Sequence, residues 1–424
     1  MDRRRQSLPH GPEGSGVGRT EVGPGAWDFV APPTIRFGEG RIGELGDVAA
    51  ALGRRAWLVG GRRSLVESPL LGRIEAVLAA AGIGAVVAAT TAGEPTVDDV
   101  ASALASLPPG SREGIVVVAV GGGAAIDLAK AVAALATDLP AGSDAAAFDA
   151  PIVDRLEGVG RGIALAATPL PVVAVPTTFG TGAEATRNAV LACPRRRFKK
   201  SLRSPLMVPR AVIVDPDLGA GCERSVVAAA GLDCVTQLIE AFVCRVRRPL
   251  PRALVLDALP RAVEALPRAV ADPADPDARA AMAHAALLSG MALANAGLGL
   301  AHGVAAPLGV ECGTPHGVAC GLLLPVALAV NAPAVASDFA TLERAIDAGA
   351  AASDAAAAEA FVARIGSLCA EVSAAAGLPR RLADVGLARD RIGWLAANSG
   401  GSSMRGNPVE LDAAALEDVL ERAW

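Results

Sequence analysis

A run of three glycines has the setting of a phosphate-binding turn. Gly121, Gly122 and Gly123 follow a valine-rich run at 115–120 and precede a helical segment. Glycines let the backbone approach a pyrophosphate, and the N–H groups at the start of the following helix face the anion. The spacing is not GxGxxG, so a tight strand-to-helix turn without a ligand is an alternative interpretation.

Polar residues near this turn strengthen the phosphate hypothesis. Asp127 and Lys130 lie three apart on one helical face among apolar neighbours, where a charged pair needs solvent or a ligand. Residues 175–188, VPTTFGTGAEATRN, place hydroxyl groups and glycines directly after another strand. Such loops bind polar ligands in open α/β sheets, although an ordinary turn with helix-capping threonines explains this segment equally well.

Four residues with oxygen or nitrogen donors have spacings that allow a metal site. Asp233 and Gln237 are four apart in a helical segment and share one face. His302 and His316 are fourteen apart, and the prolines and glycines within 307–315 break the helix, so the chain turns back and brings both imidazoles together. Two imidazoles with a carboxylate suit Fe²⁺ or Zn²⁺. Taken singly, each histidine is better explained as a hydrogen-bonded residue at a helix end.

Length and composition exclude several classes of protein. The 424 residues are 52% apolar and 3% aromatic, with a formal net charge of −5. Such a chain buries a large core and is not disordered as a whole. Without a basic excess, and with few aromatic residues, we expect no nucleic-acid partner. The seven cysteines include no CxxC and are odd in number, so we expect free thiols and a cytoplasmic location.

Three apolar runs, at 115–126, 291–310 and 318–336, could imitate membrane spans. Each contains glycine, proline, asparagine or histidine, so we expect buried strands and core helices and no membrane partner. Residues 1–26 are rich in Gly and Pro and have no apolar stretch behind their arginines. We therefore predict a disordered tail and not a signal peptide.

The remaining chain divides by pattern into two domains. At 27–216, short valine-rich runs alternate with helical stretches, which predicts an α/β domain with a parallel sheet. Strands are predicted at 56–59, 85–88, 115–120, 172–175 and 211–214, and helices at 69–81, 97–105 and 124–136. Strand signals fade after 216, so 217–424 is predicted to be all-helical. Its helices are predicted at 225–243, 253–271, 278–296, 318–330, 355–376 and 412–423.

These segments, in this order, resemble the iron-containing (group III) alcohol dehydrogenases over about 27–424. The matching segments are IRFGEG, EPTVDDV, GGGAAIDLAK, VPTTFGTGAEATRNAV, SLRSPLMVPRAVIVDP, AGLDCVTQLIEAF, NAGLGLAHGVAAPLGVECGTPHG and SSMRGNPVEL. The resemblance implies the dehydroquinate synthase-like fold, with an N-terminal dinucleotide-binding domain, an all-α metal-binding domain and an active site in the cleft between them. It implies NAD(P)-linked transfer of hydride between a small alcohol and its aldehyde or ketone, and relatives are often dimers or larger.

The resemblance also implies roles for individual residues. The pyrophosphate would contact the three glycines, and the metal would be held by Asp233, Gln237, His302 and His316. The other implied cofactor contacts are Asp127, Thr177, Thr178, Thr181 and Lys199. No residue is assigned as catalytic.

Two departures from the family pattern keep other functions open. The family usually has His where this chain has Gln237, and a further His where it has Ala306. A carboxamide oxygen is a weaker ligand than imidazole for iron or zinc, and the second change removes a proton-relay group. A metal-independent reductase of the maleylacetate reductase type is therefore an alternative, as is a catalytically degenerate cofactor-binding homologue. A lyase or cyclase with the same domain plan is a further rival.

The end of the first long strand bears on the choice of cofactor. Arg62 follows Gly60 and Gly61 at the position where relatives often have Asp. An acidic residue there accepts the ribose 2′-OH of NAD, whereas Arg accommodates the 2′-phosphate of NADP. We therefore predict a preference for NADP; the alternative is that Arg62 merely faces solvent.

Overall fold

The computed structural model describes residues 26–107, 110–142 and 144–424. The tail predicted at 1–26 lies outside these residues except for residue 26. Each strand and helix predicted from the sequence has a counterpart in the structure, although several helices are longer than predicted.

A six-stranded parallel sheet forms the centre of the N-terminal part. Its order is β1-β8-β5-β4-β2-β3, and a separate antiparallel hairpin pairs β6 with β7. The strands are β1 Ile35–Phe37, β2 Arg55–Gly61, β3 Gly84–Thr91, β4 Ile115–Gly121, β5 Val172–Pro176, β6 Asn188–Cys193, β7 Phe198–Arg203 and β8 Ala211–Val214. The hairpin was not predicted, because its alternating polar residues give a weaker strand signal than the continuous valine runs.

Fourteen α-helices occur in the described residues. They are α1 Leu45–Ala50, α2 Leu70–Ala80, α3 Val97–Ser106, α4 Gly123–Asp138, α5 Asp149–Val153, α6 Arg224–Val243, α7 Pro249–Ala271, α8 Pro276–Asn295, α9 Leu300–Cys312, α10 His316–Ile346, α11 Asp354–Ala376, α12 Ile392–Ala397, α13 Ser402–Arg405 and α14 Ala413–Ala423. The fold is therefore a parallel α/β domain followed by a helical domain, as predicted.

Alternation along β4 explains why this strand lies at the centre. All seven residues of β4 are buried. Val117 and Ala119 join the core beneath α3 and α4, whereas Val116 and Val118 join the core beneath α1 and α2. A parallel strand covered on both faces needs a continuous apolar run, which the sequence supplies.

Helix α9 corrects one expectation about the chain between the two histidines. The sequence analysis predicted that Pro307 and Gly309 would interrupt a helix, but α9 continues through both. A proline within a helix removes one backbone donor and crowds the preceding turn, and burial of the apolar residues of α9 in the core of the helical domain offsets that cost. The chain turns instead at Gly313, which adopts a left-handed φ of 68°.

Helix α6 is the centre of the helical domain. Fourteen of its twenty residues are buried, and α7, α8 and α10 pack around it. Helices α6 and α10 are long and apolar enough to cross a membrane by length and composition, and α8 with α9 passes the same test as a pair bent by 98°. The apolar windows of α6 and α10 are 78% and 56% buried inside the protein, so their hydrophobic residues largely serve the core.

Close backbone contacts join the two domains beside the end of β5. A Cβ on Gly180 would lie 2.4 Å from the carbonyl oxygen of Ala230 in α6. A Cβ on Gly182 would lie 2.4 Å from Cα of Gly290 in α8. Only glycine permits these approaches, so the threonine-rich loop packs directly against the helical domain.

Candidate active site

The carboxyl ends of β2, β4 and β5 bring the glycine and threonine segments together. Gly121 pairs with Pro176 across the sheet, and the Thr177 amide donates to the Gly121 carbonyl at 3.0 Å. A Cβ on Gly122 would lie 2.8 Å from Oγ1 of Thr178. The chain here leaves a parallel sheet for helices on both sides, which is where open α/β sheets bind ligands.

Gly123 begins α4 and faces the last of the predicted threonines. A Cβ there would lie 2.5 Å from Oγ1 and 2.9 Å from Cβ of Thr181. The predicted glycine and threonine contacts are therefore adjacent in space, around the N-terminus of a sixteen-residue helix. Free N–H groups and the helix dipole at that end favour an anion such as a pyrophosphate.

Asp127 and Lys130 are partnered by protein groups. The Lys130 ammonium lies 3.0 Å from Oδ1 of Asp127 and donates to the Ala183 carbonyl and the Thr186 hydroxyl. The other Asp127 oxygen accepts from the Val190 amide in β6 at 2.9 Å. The expectation that this pair needs solvent or a ligand was incomplete, because the buried pair ties α4 to the hairpin and to the threonine loop.

Two further predicted cofactor residues lie in ion pairs. Lys199 on β7 is 8% exposed at its side chain and pairs with Glu94 at 2.5 Å. Arg62, which follows β2, is 66% exposed and pairs with Glu67 at 2.9 Å. Arg62 lies just beyond the carboxyl end of β2. It is therefore beside the glycine turn that ends β4, because β2 and β4 are neighbouring strands.

Four metal-ligating side chains converge between α6, α9 and α10. Single donor atoms of Asp233, His302, His316 and Cys320 all lie within 4.8 Å of one another. Oδ1 of Asp233 is 3.2 Å from Nε2 of His302 and 3.8 Å from Nε2 of His316. Donors around one tetrahedral ion are separated by about 3.3–3.6 Å when bond lengths are those of zinc with N, O and S ligands. The cluster therefore fits a divalent cation by both chemistry and spacing.

Gln237 lies beside this cluster with its amide engaged. Its Nε2 donates to Oδ2 of Asp233 at 3.0 Å, and its Oε1 accepts from the Ser289 hydroxyl at 2.8 Å. The sequence analysis did not single out Cys320, because one cysteine among apolar residues has no distinguishing pattern. Its position four residues after His316, hence on the same helical face, was the available signal.

Glu240 is a buried carboxylate that positions His302. It accepts from Nδ1 of His302 at 2.7 Å and from the Gly299 and Ala301 amides at 2.9 and 2.7 Å. These contacts cap the N-terminus of α9 and direct Nε2 of His302 towards Asp233. The sequence analysis missed Glu240, although it lies seven residues after Asp233 and so on the same face of α6.

Burial and neighbouring charges shift the protonation of the cluster. Burial lowers the pKa of His316 to about 4, so its imidazole is neutral and able to bind a metal at neutral pH. Burial acts in the same direction on His302, but Cys320 and the carboxylates outweigh it and raise its pKa well above the usual value. Burial raises the pKa of the Cys320 thiol to about 12.

Comparison with known proteins places this architecture in one family. Residues 32–216 match the family described as "Iron-containing alcohol dehydrogenase", and 227–424 match "Fe-containing alcohol dehydrogenase family, C-terminal". The probable alcohol dehydrogenase EutG of Salmonella typhimurium is 31% identical over 396 residues, covering 93% of this chain and 94% of that protein.

Two solved structures have the same fold over nearly their full length. A 1,3-propanediol oxidoreductase is 28% identical with a TM-score of 0.82, covering 94% of this chain and 100% of that one. Sulfoacetaldehyde reductase from Bifidobacterium kashiwanohense, in complex with NAD⁺, is 27% identical with a TM-score of 0.80, covering 94% and 98%. The chain belongs to the iron-containing alcohol dehydrogenase family. It is an oxidoreductase that acts on CH–OH groups and links alcohol and carbonyl chemistry to a nicotinamide cofactor.

Proposed function

We propose that the protein transfers hydride between NAD(P) and a small alcohol, aldehyde or ketone, with a divalent cation bound at Asp233, His302 and His316. The observation that carries this proposal is that these donors converge next to the part of α6 against which the threonine-rich loop packs. Gly180 contacts α6 at Ala230, one helical turn before Asp233. The threonine loop and the donor cluster are therefore placed against neighbouring turns of the same helix, α6.

The chain's own residues bind and orient the reactants. The glycine turn and the threonine hydroxyls hold the cofactor pyrophosphate and nicotinamide end at the carboxyl edge of the sheet. Glu240 fixes the ring of His302, and Gln237 fixes the carboxylate of Asp233. A bound divalent cation supplies a Lewis acid for the substrate oxygen. With Ala306 in place of a histidine, we expect proton exchange to use water or the cofactor ribose.

Chelation followed by metal addition tests the metal requirement. We expect carbonyl reduction by NADPH or NADH to disappear after dialysis against a chelator and to return with Fe²⁺ or Zn²⁺. His316→Ala should lower kcat/KM by about 100-fold or more, whereas His284→Ala, at a half-buried histidine that pairs with Asp257 outside the donor cluster, should not. Full activity without metal would favour the metal-independent reductase, and cofactor binding without turnover on a broad substrate panel would favour a degenerate homologue.

NADP is the cofactor that we propose the enzyme prefers. Arg62 lies at the end of β2, next to the glycine turn, and carries a mostly exposed guanidinium. Arg62→Ala should reduce the ratio of kcat/KM for NADPH to that for NADH by about tenfold. Arg63→Ala is the matched control, because Arg63 is the adjacent, 86% exposed residue. A wild-type preference for NADH would contradict the proposal.

We further propose a cytoplasmic homo-oligomer. All seven cysteines lie in the described part of the chain and are free, which suits a reducing compartment. Strand β3 is an edge of the sheet and exposes Val86 and Val87, so it offers a surface for a second copy. Sedimentation analysis of the purified protein tests the oligomeric state, and a monomer at micromolar concentration would contradict it.

A further inference from the structure

The donor cluster contains a thiol at a place where the sequence predicted only oxygen and nitrogen ligands. Cys320 is buried in α10, and its Sγ lies 3.7 Å from Nε2 of His316, one turn earlier in the same helix. Among the described cysteines, it is the one that joins the metal-ligating cluster. The question is whether Cys320 or Gln237 completes the set begun by Asp233, His302 and His316.

Gln237 is committed to two protein hydrogen bonds. Its carbonyl oxygen accepts from Ser289, and its amide nitrogen, which carries no lone pair for a metal, faces Asp233. Rotating the amide by 180° would place Oε1 against a carboxylate oxygen, and two acceptors repel each other there. Gln237 therefore acts as a donor that orients Asp233.

Close packing between α6 and α10 places Cys320 at the cluster. A Cβ on Gly317 would lie 2.3 Å from the Ala229 carbonyl oxygen, and one on Gly321 would lie 2.7 Å from Cδ1 of Leu232. These glycines lie four apart on α10, so they form a smooth strip that lets the two helices approach. Cys320 lies within that strip, and the approach carries its sulfur to the carboxylate of Asp233.

We propose that Cys320 is a metal ligand in this enzyme and that the site is Asp233–His302–His316–Cys320, with selectivity for Zn²⁺ over Fe²⁺. This inference rests on the proposed metal-dependent function. The 3.2, 3.7 and 3.8 Å donor separations suit a mixed N, O, S tetrahedron. Binding converts the thiol to a thiolate, and its proton leaves to solvent. Thiolate is a softer ligand than carboxamide and favours zinc, which also accepts a fifth ligand during turnover.

Cobalt substitution reads out the sulfur ligand independently of activity. The full-length metal-depleted protein is loaded with Co²⁺, and its absorption spectrum is recorded. We expect visible d–d bands together with a near-ultraviolet thiolate-to-cobalt charge-transfer band. Cys320→Ala should keep the d–d bands and lose the charge-transfer band. Cys369→Ala, a buried cysteine in α11 that lies outside the donor cluster, should keep both.

Two measurements decide the proposal even if Cys320→Ala folds poorly. X-ray absorption of the wild-type zinc protein should show one sulfur neighbour at about 2.3 Å. Competition between metals should show that Cys320→Ala lowers the Zn²⁺-to-Fe²⁺ affinity ratio by about tenfold. A wild-type metal centre without a sulfur neighbour, or a charge-transfer band that survives Cys320→Ala, would overturn the proposal and leave the proposed function intact. Failure of the wild-type protein to bind metal would instead overturn both.

Discussion

Asp233 is a fully buried carboxylate whose partners keep it ionised. Burial alone would raise its pKa, but His316 and His302 outweigh that effect and the pKa lies below the usual value. A buried charge of this kind is costly unless it is paired and hydrogen-bonded. Gln237 and the two histidines supply those partners, so the residue is held ready to bind a cation.

Gly123 is a residue of the glycine turn at which an added methyl group would clash with a neighbouring side chain. We predict that Gly123→Ala raises the KM for cofactor by about tenfold, because Cβ would clash with Cβ and both γ atoms of Thr181. Alanine is the better helix former, so loss of α4 would not explain the change. Steady-state kinetics with varied cofactor measure it. Gly72→Ala in α2, where nothing lies within 4 Å, is the control and should leave KM unchanged.

Glu184 gives a pH dependence to stability. Burial raises the pKa of Glu184 to about 7, from 4.5 for an ordinary glutamate. Between these pH values the unfolded chain has lost the proton and the folded protein retains it, so the free energy of unfolding falls as pH rises. We predict that Glu184→Gln stabilises the protein relative to wild type by about 3 kcal/mol more at pH 8 than at pH 4. Urea unfolding at both pH values measures this difference, and an equal effect at both would refute it.

At the scale of elements, the C-terminal segment SSMRGNP supports the start of α9. Asn407 accepts from the Leu300 amide at 3.0 Å and exchanges two hydrogen bonds of 2.9 Å with Asn331 of α10. Together with Glu240, it satisfies backbone donors at the start of α9 that would otherwise be unpaired. The residues of this late motif therefore act on the helix that carries His302.

Removal of the Asn407 amide should destabilise α9. We predict that Asn407→Ala lowers the free energy of unfolding by about 1–3 kcal/mol, because Leu300 N–H and the Asn331 amide are left buried without this partner. Asn398→Ala, at an exposed amide, should change it by less than about 0.5 kcal/mol. Chemical denaturation measures both, and equal effects would contradict the capping role.

For the whole molecule, the contact between the threonine-rich loop and the helical domain brings the two halves of the candidate active site together. Gly182 has a left-handed φ of 60° and contacts Gly290 of α8 through backbone atoms alone. Arg279 of α8 donates hydrogen bonds to the Pro216 carbonyl and to the Asp217 carboxylate. Since neither domain contains both halves of the site, its geometry depends on this interface.

An added methyl group at Gly290 should push the threonine-rich loop away from the helical domain. Its Cβ would lie 2.2 Å from the Gly182 carbonyl oxygen, which no side-chain rotation relieves. We predict that Gly290→Ala costs about 1–3 kcal/mol and lowers kcat/KM, while Co²⁺ binding by the helical domain persists. Unfolding curves, kinetics and the cobalt spectrum test this. Gly366→Ala in α11, with nothing within 4 Å, should leave the kinetics and the cobalt spectrum unchanged and should not destabilise the protein, because alanine is the better helix former. Unchanged kinetics in Gly290→Ala would show that activity does not require the close contact between Gly182 and Gly290.

The sequence by itself determined the fold class and most of the longer strands and helices, because valine-rich runs, helical spacing and the glycine turn are local signals. It also identified Asp233, His302 and His316 as donors, since their residue types and spacings are distinctive. Only the tertiary structure decided the contacts made by Gln237, Glu240 and Cys320. Those depend on how closely α6, α9 and α10 approach, and that distance is set by glycines at 317 and 321 and by caps supplied from 240 and 407. A side chain's partner across a helix interface has no fixed sequence separation, so no local pattern reveals whether an amide faces a metal or a serine.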